Sequence, residues 1–144
     1  MTGVPRDFNI DPNKKDMLME LVAREDSPFW KGHRKKTAPQ RTVLFHSMTL
    51  AFMKRTRKQF KGGSQVFANA HLKEEETNLI MAIAIAEEGL DVLLSPEKIY
   101  RTAEEYANVG LDIVYNMVFS SDSGDPLAEF EAEITKVLKK HARQ

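Results

Sequence analysis

Ser95-Pro96-Glu97 carries the clearest helix-start signal in the chain: Ser as cap, Pro in the first turn and an acid beside the positive end of the helix dipole. Behind it Ile99, Ala103, Tyr106, Gly110, Ile113 and Met117 recur at the three- and four-residue spacing of an apolar helical face. A stripe of about five turns must be buried against other helices, and this excludes folds that are built mainly of strands. Gly110 lies inside the stripe, where Gly costs about 1 kcal/mol relative to Ala. Its presence there predicts either close helix packing or a kink.

The other apolar runs carry the same period. Asp11-Pro12 pairs an Asx cap with Pro at the first helical position, and Met17, Leu18, Leu21 and Val22 follow, which predicts a helix over about 12 to 24. Ser27-Pro28 ends it, and the basic, aperiodic run from Phe29 to Ala38 reads as a connecting segment, placed at about 27 to 38. Pro39 opens a second predicted helix to about Lys61, with Val43, Leu44, Met48, Ala51, Phe52 and Thr56 in period; its first half reads as buried and its second half as solvated. Gly62-Gly63 stops that helix, and Ser64 caps a short one over 65 to 71. Glu74, Glu75 and Glu76 start a helix through Leu79, Ile80, Ile83, Ala84 and Ala86 that ends near Gly89 and is predicted to be the central one. Ser120 to Gly124 reads as a turn, and Leu127, Phe130, Ile134, Val137 and Leu138 form a last amphipathic helix before a short polar tail. No segment shows the period-two alternation of a half-buried strand, and there is no internal repeat.

The expected fold is therefore all-α, a single compact domain over 1 to 144 with five or six helices. A chain of 144 residues can bury roughly 68 to 70 per cent of its unfolded surface and needs no staple. It contains no cysteine, which removes disulfides, thiolate catalysis and Cys-ligated zinc. Neither a signal-peptide run nor an apolar stretch near the ~20 residues of a membrane span is present, the longest being Leu79 to Ala86. The expected location is cytoplasmic, with no membrane partner.

Charge is the least evenly distributed property of the chain. From Ser27 to Lys73 there is no Asp or Glu, while eleven of the twenty-one Lys and Arg fall there. Residues 1 to 26 hold six acids against four bases and residues 74 to 144 hold fifteen against six, so zero net charge conceals −2, +11 and −9. Such asymmetry reads as a surface for an anion: nucleic acid, an acidic protein or the acidic part of another copy. The candidate binding residues are Lys31, Arg34, Lys35, Lys36, Arg41, Lys54, Arg55, Arg57, Lys58 and Lys61. On the predicted helix Lys54, Arg55, Arg57 and Lys58 sweep most of the circumference, so some of them must face solvent or a partner, and Gln at all four should leave the fold intact. Phe29, Trp30, Phe45, Phe52, Phe60 and Phe67 are interleaved with the cations, a pattern that a phosphate-tracking, base-stacking surface would use. Phe45 and Phe52 lie on the apolar side of their helix and read as core.

Further constellations have simpler readings. His33, His46, His71 and His141 fall in four separate segments without metal-site spacing, so no metal or other cofactor is expected. Gly62-Gly63-Ser64 lacks the Lys of a phosphate loop, and Asp122 and Asp125 lack the remaining acids of a calcium loop. No nucleophile stands beside a base in a catalytic motif, and no enzymatic activity is expected.

The run LIMAIAIAEEGLDVLLSPEKIYRTAEEY, Leu79 to Tyr106, resembles the tail assembly chaperones of long-tailed bacteriophages, in which an Ala/Ile-rich helix ends in an acidic-Gly step before a Ser/Thr-Pro-Glu helix start. TLAFMKRTRKQ, Thr49 to Gln59, is similar to a Leu-Met-Lys-Arg helix of the lambda-type members. Together these runs cover about a third of the chain. The resemblance implies a non-catalytic helper that self-associates and coats the tape-measure protein before tail-tube protein polymerises around it. In many such families a frameshift near the end of the chaperone appends a tube-binding extension, and the Lys139-Lys140 pair could be encoded by a slippery run of adenines. The alternative expectation is a small DNA- or RNA-binding phage accessory protein that uses the basic segment 27 to 73.

Overall fold

The computed structural model describes residues 3–23, 38–119 and 126–142. Strand β1 (Asp7–Ile10) leads through a 3-10 turn (Pro12–Lys14) into α1 (Lys15–Ala23), and α2 (Ala38–Met53) is followed by β2 (Ser64–Ala68) and a 3-10 turn (Asn69–His71). Next come α3 (Glu74–Glu88), a 3-10 segment (Leu90–Leu94), α4 (Pro96–Phe119) and α5 (Pro126–Ala142). The protein is mostly helical but not all-α, because β1 and β2 pair as an antiparallel two-stranded sheet.

Several local signals act as expected. The Asp11 carboxylate accepts from the Asn13 N–H at 3.0 Å, and Pro12 occupies the first position of the turn. The Lys73 N–H donates to Glu76 at 2.8 Å at the start of α3, and Gly89, at φ 87°, ends that helix. Pro96 opens α4, whose Ile99, Ala103, Tyr106 and Gly110 are buried.

Four expectations are corrected. The central helix is α4, not α3: Thr102 to Asn108 are buried without a break, whereas α3 buries only Ile80, Ile83 and Ala84. Helix α2 ends at Met53 and not near Lys61. Residues 64–68 form a strand where a helix over 65 to 71 was expected. Asp-Phe-Asn-Ile at 7–10 does alternate, with Phe8 and Ile10 buried. Four residues are too few to register as a period-two signal, and the partner strand lies more than fifty residues away. The turn expected at 120 to 124 and the connecting segment at 27 to 37 lie outside the described residues.

Packing of α2 on α4 forms the centre of the molecule, and Val43, Leu44, Met48 and Leu50 of α2 share one buried core with Ala103, Ala107, Leu111 and Val114 of α4. Phe8 of β1 stacks on Phe67 of β2 at 4.9 Å, and Phe45 of α2 stacks on Phe67 at 6.2 Å. The strand register slips between Phe8 and Asn9, so Val66 has no opposite residue. At that bulge the Asn9 N–H donates to the buried carboxylate of Glu104 at 2.7 Å. A side chain of α4 thus satisfies the backbone donor that the ladder leaves over.

Candidate anionic-partner surface

The cations of the TLAFMKRTRKQ run do not lie on a helix. The Arg55 N–H donates to the Phe52 carbonyl at 2.9 Å and the Thr56 N–H to the Ala51 carbonyl at 3.0 Å. These bonds close α2 in a Schellman motif with Arg55, at φ 54°, in the left-handed position that Gly usually takes. The chain then runs as a loop through residues 54–63, held along α4. The Arg101 guanidinium lies 3.9 Å from the Phe60 ring centroid and donates to the Phe60 carbonyl, and Asn108 Nδ2 donates to the Lys58 carbonyl at 3.1 Å. Phe60 is buried beneath Arg101. Phe52 meets Tyr106 edge to face at 5.5 Å. The aromatics among the described part of the basic segment therefore pack on other rings or beneath Arg101 rather than forming an open stacking row, which corrects the expectation of a base-stacking surface. Phe29 and Trp30 lie outside the described residues.

Arg57 turns inward as well. Its Nε sits 2.8 Å from Glu105, and its Nη1 3.2 Å from Glu87 and 3.0 Å from Glu88. Lys98 reaches Glu88 at 3.4 Å, and Arg101 reaches Glu104 at 3.4 Å and Glu105 at 3.9 Å. The Tyr106 hydroxyl donates to Glu87 at 2.7 Å. Hydrogen bonds from Arg57 and Lys98 hold the Glu88 carboxyl below its usual range. Burial pushes Glu104 up to about 7, against the opposing effects of the Asn9 N–H and Arg101. Tyr106 is pushed up to about 12 by burial and by its bond to Glu87.

The ten predicted binding residues thus separate. Lys31, Arg34, Lys35 and Lys36 lie outside the described residues. Arg41 pairs with Glu76 at 3.2 Å and donates to the His71 carbonyl at 3.2 Å. Arg57 belongs to the carboxylate network. Lys54, Arg55, Lys58 and Lys61 are exposed on the 54–63 loop. The expectation that Gln could replace Lys54, Arg55, Arg57 and Lys58 together without harm to the fold is corrected, because Arg57 balances the buried carboxylate of Glu105. In the network, Arg57, Lys98 and Arg101 stand against Glu87, Glu88, Glu104 and Glu105, three positive against four negative charges, or three against three when Glu104 is protonated. The network thus comes close to neutrality from its own cations, and Arg55, Lys58 and Lys61 add positive charge outside it.

Beside Arg55 the C-terminal ends of α2 and α3, the middle of α4 and the last turns of α5 line a groove of about 490 Å³. Phe52, Met53, Ala86 and Leu138 form its apolar walls, and Arg55, Arg57, Glu87 and Tyr106 bring polar groups to it. Leu138 is 55% exposed, although the sequence places it on the apolar stripe of the last helix. A second cavity, of about 460 Å³, lies between β1 and the start of α4, lined by Asn9, Lys98, Tyr100, Arg101 and Glu104. Sequence reasoning missed Glu87, Glu88, Glu104 and Glu105 as partners of the basic segment. No local signal identifies them, since they come from two helices that tertiary packing brings to one loop. Among the described residues no helix is long and apolar enough to cross a membrane, and no three His, Asp or Glu side chains are grouped to hold a metal ion. Comparison with protein families, with curated proteins and with solved structures finds no match to this chain.

Proposed function

We propose that this chain is a non-catalytic helper that binds an acidic protein partner, in the manner of a phage tail assembly chaperone that self-associates and coats the tape-measure protein. The observation that carries this reading is the division of the basic segment. Arg41 and Arg57 are matched to carboxylates of the same molecule, while Arg55, Lys58 and Lys61 stay exposed on the 54–63 loop, and Arg55 lines a groove with apolar walls. Cations next to apolar walls suit a protein surface, which offers both carboxylates and side chains to bury. The buried Phe60 and the stacking of Phe67 on Phe8 count against a nucleic-acid platform, which would present such rings to bases.

The test is co-expression with the tape-measure protein encoded in the same genome, followed by co-purification at physiological salt, together with a titration of duplex DNA. The expected result is a complex with the protein and weak retention on DNA. A genome with no tape-measure gene near this one removes the chaperone assignment. Tight DNA binding whose affinity falls steeply with salt replaces it with the nucleic-acid reading.

A further inference from the structure

We infer that the groove formed by the ends of α2 and α3, the middle of α4 and the last turns of α5 is a docking site for an acidic amphipathic helix of a partner protein, with Arg55 as the residue that selects for acid. This rests on the proposed function in taking the partner to be an acidic protein, and it adds the place and the chemistry of contact. Phe52, Met53, Ala86 and Leu138 line the groove with apolar surface, and at about 490 Å³ it has the volume to take side chains rather than a single water. Leu138 stands 55% exposed at this groove, an apolar cost to an unbound surface that a docked apolar side chain would cancel.

Electrostatics then decides the type of helix. The acid in the groove, Glu87, is already bound by Arg57 at 3.2 Å and by the Tyr106 hydroxyl at 2.7 Å, so it offers little to an incoming cation. Arg57 is itself spent on Glu87, Glu88 and Glu105. Among the described residues that line the groove, the charge left over is that of Arg55, exposed and near enough to act on the Tyr106 hydroxyl. Lys58, also exposed, follows it three residues later on the same loop.

The backbone supplies a second, independent line of support. Arg55 holds φ 54°, a conformation that strains a residue with a Cβ and costs Gly almost nothing. A Gly at 55 would end α2 at least as well, so backbone geometry gives no reason for Arg at this position. Its location at the groove gives the side chain a task. Helix-in-groove docking requires apolar anchors at i, i+3 or i+4 and i+7, and the cationic rim adds acids beside those anchors.

The experiment uses the full chain and three fluorescein-labelled helical peptides of equal length, read by anisotropy at physiological salt. The first carries Leu at i, i+4 and i+7 with Glu at the flanking positions; the second has Lys for Glu; the third has Ser for Leu. Saturable binding of the first alone is expected. Arg55→Gly is expected to raise the melting temperature while weakening the Leu/Glu peptide about threefold to fivefold, a combination that loss of folding cannot produce. Leu138→Gln is expected to weaken it about tenfold. Binding of the Lys or Ser peptide as tight as that of the Leu/Glu peptide overturns the inference. If both variants bind the Leu/Glu peptide as the wild type does, an acidic partner docks elsewhere, which removes the groove but leaves the proposed function standing. If neither the peptide nor any acidic protein partner binds the wild type, both fail.

Discussion

Gly110 of α4 lies against the backbone of Ser47 in α2, so close that a Cβ at position 110 would stand 2.8 Å from the Ser47 Cα and nearer still to its carbonyl group. Close packing, and not a kink, is therefore the reason for Gly within the α4 stripe. The neighbour is backbone and has no rotamer with which to yield. Gly110→Ala gains about 1 kcal/mol of helix propensity but must push α2 away from α4, an overpacking cost of about 1–3 kcal/mol or more. We expect a net destabilisation of about 2 kcal/mol in urea unfolding. A variant as stable as the wild type would mean that the two helices are not in contact there.

Arg57 and the exposed cations of the same loop should respond very differently to neutralisation. Arg57→Met leaves Glu105 buried without its nearest cation, and breaking such a pair costs about 3–5 kcal/mol. Lys58→Gln and Lys61→Gln, on exposed positions, should stay within about 0.5 kcal/mol of the wild type. Equal effects in chemical denaturation would refute the division of the basic segment into inner and outer cations.

Glu104 gives stability a pH dependence of definite sign. Its carboxyl is raised from 4.5 to about 7 in the folded protein, so between those values the folded state holds more proton than the unfolded one. Stability contributed by protonated Glu104 is complete below about 4.5 and is lost as pH rises through about 7. Glu104→Gln keeps an acceptor for the Asn9 N–H and removes the titration. Its denaturation midpoint should vary less between about pH 5 and 8 than that of the wild type, and should exceed it at about pH 8. Identical pH profiles would exclude Glu104 as the source.

Tyr106 acts in the alkaline range by the same rule. Its hydroxyl is raised from 10.0 to about 12, so the stability it adds is present below about 10 and fades as pH climbs to about 12. Tyr106→Phe removes the hydrogen bond to Glu87 and should cost about 1 kcal/mol at neutral pH. An ultraviolet titration of the variant should lack the latest-ionising tyrosine of the wild type.

Self-association has fewer groups to draw on than the uneven charge distribution promised, because Arg41 and Arg57 are already paired within one copy. Apart from Lys73 at the start of α3, the exposed cations of the described basic segment sit on the 54–63 loop, and pairing of exposed charges weakens as the Debye length falls to about 3 Å at 1 M salt. Sedimentation should show oligomers at low salt that dissociate at high salt and that are lost in Lys58→Gln/Lys61→Gln. Oligomers indifferent to both changes would transfer the contact to apolar surface.

Local signals sufficed for the helices whose ends and stripes lie close together in the chain: Asp11-Pro12 at the start of the first helical turn, Glu74 to Gly89, Pro96 onward, and the last stripe through Ile134 and Val137. They also marked Gly110, since a Gly that costs a strong helix stripe its propensity is retained where a neighbour leaves no room for a Cβ. Capping, dipole and periodicity act over a few residues, and those interactions can be read from neighbours in the chain. Everything else depended on contacts between distant segments. Helix α2 stops at Met53 without a Gly, because loop 54–63 gains Arg101 under its carbonyls and Glu105 on Arg57, partners more than forty residues away. The two strands exist because Phe8, Phe67 and Glu104 meet across the fold. The same long-range pairing divided a uniformly basic run into cations that neutralise the molecule's own acids and cations that face outward. Which cation does which depends on where α3 and α4 place their carboxylates, and that placement follows from how the helices pack rather than from any local pattern in the basic run.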